Sequence, residues 1–118
     1  MVQIRQAGVY AIVDVQEDIR DITNVDKIKQ AITQIESPFV AINLTGIECI
    51  YSYFVKVLAM THRRLQAAGG KLVIISPNAF VTNLLQVINL HRVIPLYNSE
   101  EEFLKEIGRP GGDAPAVP

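Results

Sequence analysis

Few residues in this chain are of the types that carry chemistry, and their spacing gathers none of them into a constellation. The two histidines, His62 and His91, fall on different predicted elements, one in a helix beside Arg63-Arg64 and one in a turn. A zinc site draws several nitrogen and sulfur ligands from short, regular spacings, and a single cysteine with two scattered histidines offers no such set. That cysteine, Cys49, follows an acidic residue and has no basic neighbour in sequence, so it reads as a small buried hydrophobe, not an activated thiol. Glu17, Asp18 and Asp21 are acidic and close together, but nothing in their spacing specifies a cation's ligand geometry, and a solvated loop explains them better. Gly69-Gly70 lacks the spacing of a phosphate-binding fingerprint and closes a predicted helix where such a loop would open one. No catalytic residue, metal ligand or cofactor site is therefore assigned.

The hydroxyls of Tyr51, Ser52 and Tyr53 are more informative. They sit where a buried strand has run out through a polar loop and a helix begins. A helix N-terminus has free N–H groups and the positive end of the dipole. A hydroxyl there caps the helix, a role open to Ser52, and a phosphate there is well accommodated. Phosphorylation adds about −1.5 to −2 charges, enough to break an apolar interface around it.

The elements that must position this junction are legible from apolar patterning. Val9 to Val15, Phe39 to Leu44 and Lys71 to Ser76 are near-continuous apolar runs without helical period, and they read as strands. Strands covered on both faces lose the in/out alternation, as these do. Val2 to Gln6 is expected as a short partner strand, with Ala7-Gly8 as the turn. Val25, Ile28, Ile32 and Ile35 share a helix face, with Thr23-Asn24 as the N-cap and Ser37-Pro38 as the stop. A second helix runs from Ser52 to about Ala68, with Phe54, Leu58 and Leu65 on its buried face. A third is capped by Asn78 and carries Phe80, Val81, Leu84, Leu85 and Ile88. Val93 to Leu96 is expected as an edge strand, because its proline cannot donate to a ladder. Ser99 and Glu102 form a capping box for a last helix with Phe103 and Ile107. Beyond Gly108 the composition turns to proline, glycine and alanine without periodicity, which reads as a disordered tail.

Strands alternating with helices predict an α/β domain with a mostly parallel central sheet, an antiparallel N-terminal edge and about four flanking helices. The 118 residues suit one domain, and 49 % hydrophobic content suffices for one core. A net charge of −1 argues against a nucleic-acid partner. One cysteine permits no internal disulfide, and no segment reads as a signal peptide or a membrane span, so a cytoplasmic protein without membrane insertion is expected.

The run Ile42-Asn43-Leu44-Thr45-Gly46-Ile47-Glu48-Cys49-Ile50-Tyr51-Ser52-Tyr53-Phe54-Val55-Lys56-Val57-Leu58 resembles the site of the STAS domain, the fold of bacterial anti-sigma-factor antagonists. Arg63 to Ile74 resembles the family's helix-Gly-Gly-strand junction, and Leu84 to Tyr97 with the acidic helix behind it resembles the family's C-terminal part. The likeness spans about Val2 to Ile107. It implies a STAS-like domain over residues 1–107, followed by a tail over 108–118.

The resemblance also implies a regulatory binding module whose partner is a kinase-fold anti-sigma factor, and no enzyme. In the family, the second serine of an Asp-Ser-Ser-Gly run accepts phosphate from that partner. Here that position is Tyr53, the preceding Asp is Tyr51, and the glycines are Phe54 and Lys56. Only Ser52 keeps the family residue, at the neighbouring and usually unmodified position, and it is the candidate acceptor that remains in this run. The usual serine switch is thus expected to be missing. Tyr51, Ser52, Tyr53 and Lys56 are expected to contact the partner, with at least one tyrosine exposed as an anchor and Arg63 extending a basic rim. An accessory subunit on the ATPase of a membrane lipid transporter is the alternative, and a homodimer through the aromatic pair is left open.

Overall fold

The computed structural model describes residues 3–16 and 19–108. Val2, the Glu17-Asp18 pair and the tail over 109–118 lie outside the described residues, so the expectations placed on them have no counterpart here.

Two strands, β1 (Gln3–Ala7) and β2 (Tyr10–Asp14), form the expected antiparallel hairpin, and Gly8 takes a positive φ of 61° in its turn. After it come α1 (Ile22–Thr33), β3 (Phe39–Asn43), α2 (Ser52–Ala67), β4 (Lys71–Ile75), α3 (Ala79–Val87), β5 (Leu96–Tyr97) and α4 (Glu100–Gly108). The sheet order is β1-β2-β3-β4-β5, with every pair after the first parallel.

The register explains why the central strands are apolar throughout. Alternate residues point to opposite faces of a sheet. Val13, Val40, Ile42, Leu72 and Ile74 face a core closed by α1, α2 and α3. Tyr10, Ile12, Ala41, Val73 and Ile75 face the other side, where Phe103 and Ile107 of α4 cover them. There Phe103 packs edge-on against Tyr10 and Tyr97, at ring-centroid distances of 5.0 and 5.4 Å. Burial pushes the Tyr10 hydroxyl's pKa up to about 12.

Three boundaries differ from the patterning. Helix α1 starts earlier, because Asp21 caps it by accepting from the Thr23 N–H at 2.8 Å; the expected Thr23-Asn24 lies inside the helix. Ile35 packs on the core from beyond the helix end. The last strand starts at Leu96, not Val93, since Leu90–Arg92 forms a 3-10 turn and Ile94 donates to the Leu90 carbonyl. Pro95, with no N–H, joins the ladder through its carbonyl, which accepts from Ile74 at 2.9 Å. Ser99 accepts from the Glu102 N–H at 3.1 Å as a capping box requires, but the return bond from Glu102 reaches the Asn98 N–H.

A polar network ties α4 to the sheet. Arg5 donates to both oxygens of Asp14 (2.6 and 2.8 Å) and both oxygens of Glu100 (2.9 and 2.7 Å). The Asn43 amide donates to Asp14 at 2.8 Å. Hydrogen bonds from Arg5 hold the carboxyls of Asp14 and Glu100 below the usual carboxylate range. Both groups thus bind protons less tightly folded than unfolded. Their contribution is present above the unfolded pKa values and disappears as the pH falls through the lowered ones. Urea unfolding between about pH 6 and pH 2 is expected to show a loss of stability that Arg5→Ala flattens. An acid limb unchanged by Arg5→Ala would place the loss elsewhere.

Candidate functional site

Strand β3 delivers the chain to the site. Asn43 closes the strand, and its side-chain oxygen accepts from the Thr45 N–H and the Thr45 hydroxyl, which turns the backbone outward. The Leu44 N–H still donates to the Ile75 carbonyl at 2.8 Å, so the loop leaves from a point fixed against β4. Ile50 and Phe54, on either side of the helix start, are both buried, and they set the angle at which α2 enters.

The cap itself is Tyr51, in extended conformation (φ −126°, ψ 162°), and its side chain makes no capping bond. Ser52 is the first helical residue, so the capping role expected of its hydroxyl is not realised, and its side chain is exposed. The first turn of α2 carries no acidic residue.

The two tyrosines diverge. Tyr51 is 41 % exposed and lines a cleft of about 510 Å³ with Gln16, Ile19, Arg20, Ile47 and Cys49. A second cleft of about 370 Å³ shares Gln16, Gly46 and Ile47 with the first and continues to Asp14 and Asn43. Tyr53 turns the other way, toward α1, where its hydroxyl donates to the Asp26 carboxylate at 2.7 Å. That bond, together with the nearby negative charge, raises the Tyr53 pKa. Tyr53 is half-buried, and its ring packs against the core that α1 and α2 share. One exposed tyrosine is thus present, but no joint aromatic patch is formed. Lys56, Arg63 and Arg64 are exposed along α2.

Other residues singled out by type are dispersed. Cys49 is half-buried at the rim of the cleft, with its thiol 3.7 Å from the Ile50 carbonyl, and so is not the core residue expected. His62 is half-buried on α2, with a buried Nδ1 that has no partner, and His91 is exposed. Among the described residues, no three His, Cys, Asp or Glu side chains are placed to hold a metal ion. No helix in these residues is long and apolar enough to cross a membrane. Asp26 carries no local sequence signal for its role; it lies 27 residues before its partner and reads as one more surface charge of α1.

The STAS domain family model matches residues 1–103. A relative from Thermotoga maritima, assigned as an anti-sigma factor antagonist, is 29 % identical over 66 residues, covering 56 % of this chain and 58 % of the relative. The chain therefore spans less than two thirds of the curated relative it matches. A crystal structure of a Thermotoga maritima protein assigned as an anti-sigma factor antagonist superposes with a TM-score of 0.80 at 20 % identity, covering 92 % of this chain and 95 % of that one. The structure of the anti-sigma factor antagonist SpoIIAA in its unphosphorylated form gives 0.70 at 19 % identity, covering 93 % and 99 %. At these identities the solved structures establish a shared fold, which in the described residues of this chain is a five-stranded mixed sheet with four α-helices.

Proposed function

The chain belongs to the STAS domain family, and on that premise we propose that it regulates by binding a protein, without catalysis and without the family's serine phosphorylation switch. The partner is a kinase-fold anti-sigma factor in the bacterial cytoplasm, and the contact surface is the start of α2: Tyr51, Ser52 and Lys56, with the cleft beside Tyr51. The relatives named above, assigned as anti-sigma factor antagonists, support the partner class. The alternative of a lipid-transporter subunit draws no support from them.

The observation that carries the reading is the orientation of Tyr53. At the position equivalent to the phosphoacceptor, its hydroxyl faces α1 and is held by Asp26, while Tyr51, Ser52 and Lys56 remain exposed. A phosphate on that oxygen would stand against a carboxylate and meet like-charge repulsion. Asp26 and Tyr53 thus act as positioning residues for the helix start, and the exposed side chains do the binding. Ser52 is read as a contact residue; it is also the alternative acceptor that the test must examine.

Calorimetric titration against the kinase-fold anti-sigma factor, before and after incubation with ATP and magnesium, tests this. The same affinity in both conditions is expected, with no phosphate on the wild-type chain by intact mass. The Tyr53→Ser variant is expected to gain one phosphate and lose affinity. Phosphate on wild-type Ser52 would overturn the claim of a missing switch, and no binding at all would overturn the partner assignment.

A further inference from the structure

One side chain, Asn43, belongs both to the polar network that holds α4 and to the turn that opens the site. The network closes into a ring of four polar atoms near the carboxyl ends of β2 and β3. Arg5 Nη2 donates to Asp14 Oδ1 at 2.8 Å and to Glu100 Oε1 at 2.7 Å. Asn43 Nδ2 donates to the same two oxygens, at 2.8 and 3.5 Å. Donors and acceptors alternate around the ring, and its members come from β1, β2, β3 and the first residue of α4.

The other end of the Asn43 amide serves the loop. Its oxygen accepts from the Thr45 N–H and the Thr45 hydroxyl. Turned over, the amide would set its oxygen against two carboxylates and its NH2 against the Thr45 N–H, so its orientation is fixed from both sides. A carboxylate of the same size could serve Thr45, but it would add a third negative charge to a ring with a single guanidinium. An aliphatic side chain could serve neither end.

What Asn43 fixes is one wall of the site. Asp14, Asn43 and Thr45 line the smaller cleft, whose Gln16, Gly46 and Ile47 continue into the cleft beside Tyr51. The Val15 N–H donates to the Asn43 carbonyl and the Ile47 N–H to the Leu44 carbonyl, at 3.0 and 2.9 Å, so the backbone on either side is held. Thr45 and Gly46 between them are exposed, and the side-chain oxygen of Asn43 is what reaches the Thr45 N–H. Glu100 is not among the residues that line either cleft.

We propose that Asn43 is the positioning residue of the partner-binding loop, and that through it the start of α4 and the N-terminal hairpin set the loop's place from outside the cleft. The functional half rests on the reading of this surface as the protein-binding one; the positioning half is tested on the free chain.

Amide hydrogen exchange of the full chain, followed by NMR as protection factors at Thr45 and Ile47, tests it, with Val40 and Ile42 of β3 reporting that each variant folds. Asn43→Asp is expected to lower the loop protection about fivefold near pH 7.5. The defect is expected to fade toward about pH 5, because two neighbouring carboxylates raise the pKa of the new carboxyl, which regains a donor once protonated. Asp14 and Glu100, held low by Arg5, stay ionised in that window. Glu100→Ala is expected to lower the same protection about threefold from outside the cleft. In calorimetry against the kinase-fold anti-sigma factor, Asn43→Asp is expected to bind about tenfold more weakly, since the loop must then be ordered on binding. Loop protection unchanged in either variant, or a loss that does not fade at low pH, overturns the proposal. So does a loosened loop that binds with wild-type affinity. A wild type that binds no anti-sigma factor overturns the partner reading, and the exchange rates then decide the positioning role without it.

Discussion

Truncating Phe103 to alanine is expected to lower the unfolding free energy by about 3–5 kcal/mol, the cost of removing a large aromatic from a packed core. The site leaves little room for collapse. Phe103 is fully buried, and it contacts Tyr10 and Tyr97 edge-on, with Tyr10 in turn against Phe39 at 5.6 Å. Among the described residues it is the one buried side chain that α4 contributes to the second core, with the half-buried Ile107 beside it. Urea unfolding measures the loss, and an unchanged slope would show that the native and unfolded states keep their exposure. A loss under about 1 kcal/mol would mean that α4 adds little to the cooperative unit.

Gly70→Ala is expected to be nearly as damaging, at about 3 kcal/mol, the upper part of the range for overpacking. A methyl group at Gly70 would lie 1.9 Å from the Pro38 carbonyl oxygen and 2.5 Å from its carbon. Both are backbone atoms, so no side chain can swing away. The same carbonyl accepts from the Lys71 N–H at 3.0 Å, where β4 begins beside β3, so relief of the clash would pull the strands apart. The neighbouring Gly69 makes a useful contrast. It needs its glycine for a left-handed backbone (φ 81°) but has open space around it. Gly69→Ala is expected to cost about 1–2 kcal/mol by that strain alone. Thermal or urea unfolding of the two variants should rank Gly70→Ala as the worse, and the reverse order would contradict the close approach at Pro38.

These two glycines also show where reading the sequence stops. Patterning treats them alike, as the end of a helix, and that is correct for the element boundary. Only the packing of the Pro38 turn against the start of β4 distinguishes them. The strands Tyr10–Asp14, Phe39–Asn43 and Lys71–Ile75 were legible because each centres on a short apolar run rich in β-branched residues, too short for a helix and bounded by polar or turn residues. The start of α2 at Ser52 was legible for a similar reason, since Phe54, Leu58 and Leu65 repeat at helical spacing. What could not be read were the bonds that orient the site. Tyr53 reaches Asp26 across 27 residues and Arg5 reaches Glu100 across 95, and a single sequence carries no local signal for either. The direction of Tyr53 decides between a presented and a withheld hydroxyl, so the functional reading had to wait for the packing of α1 on α2.

The order of the strands has a consequence for how the chain reaches this state. Each strand pairs with the one that precedes it, from β1 through β5. No strand has to be inserted between two others already paired, and each new parallel pair closes a loop of one helix and two short connections. Loop closure grows costly only slowly with length, so each of these steps costs about the same. The sheet can therefore grow outward from the β1-β2 hairpin in the direction of synthesis, one strand and one covering helix at a time. The second core is completed last, because α4, made last, is what covers it.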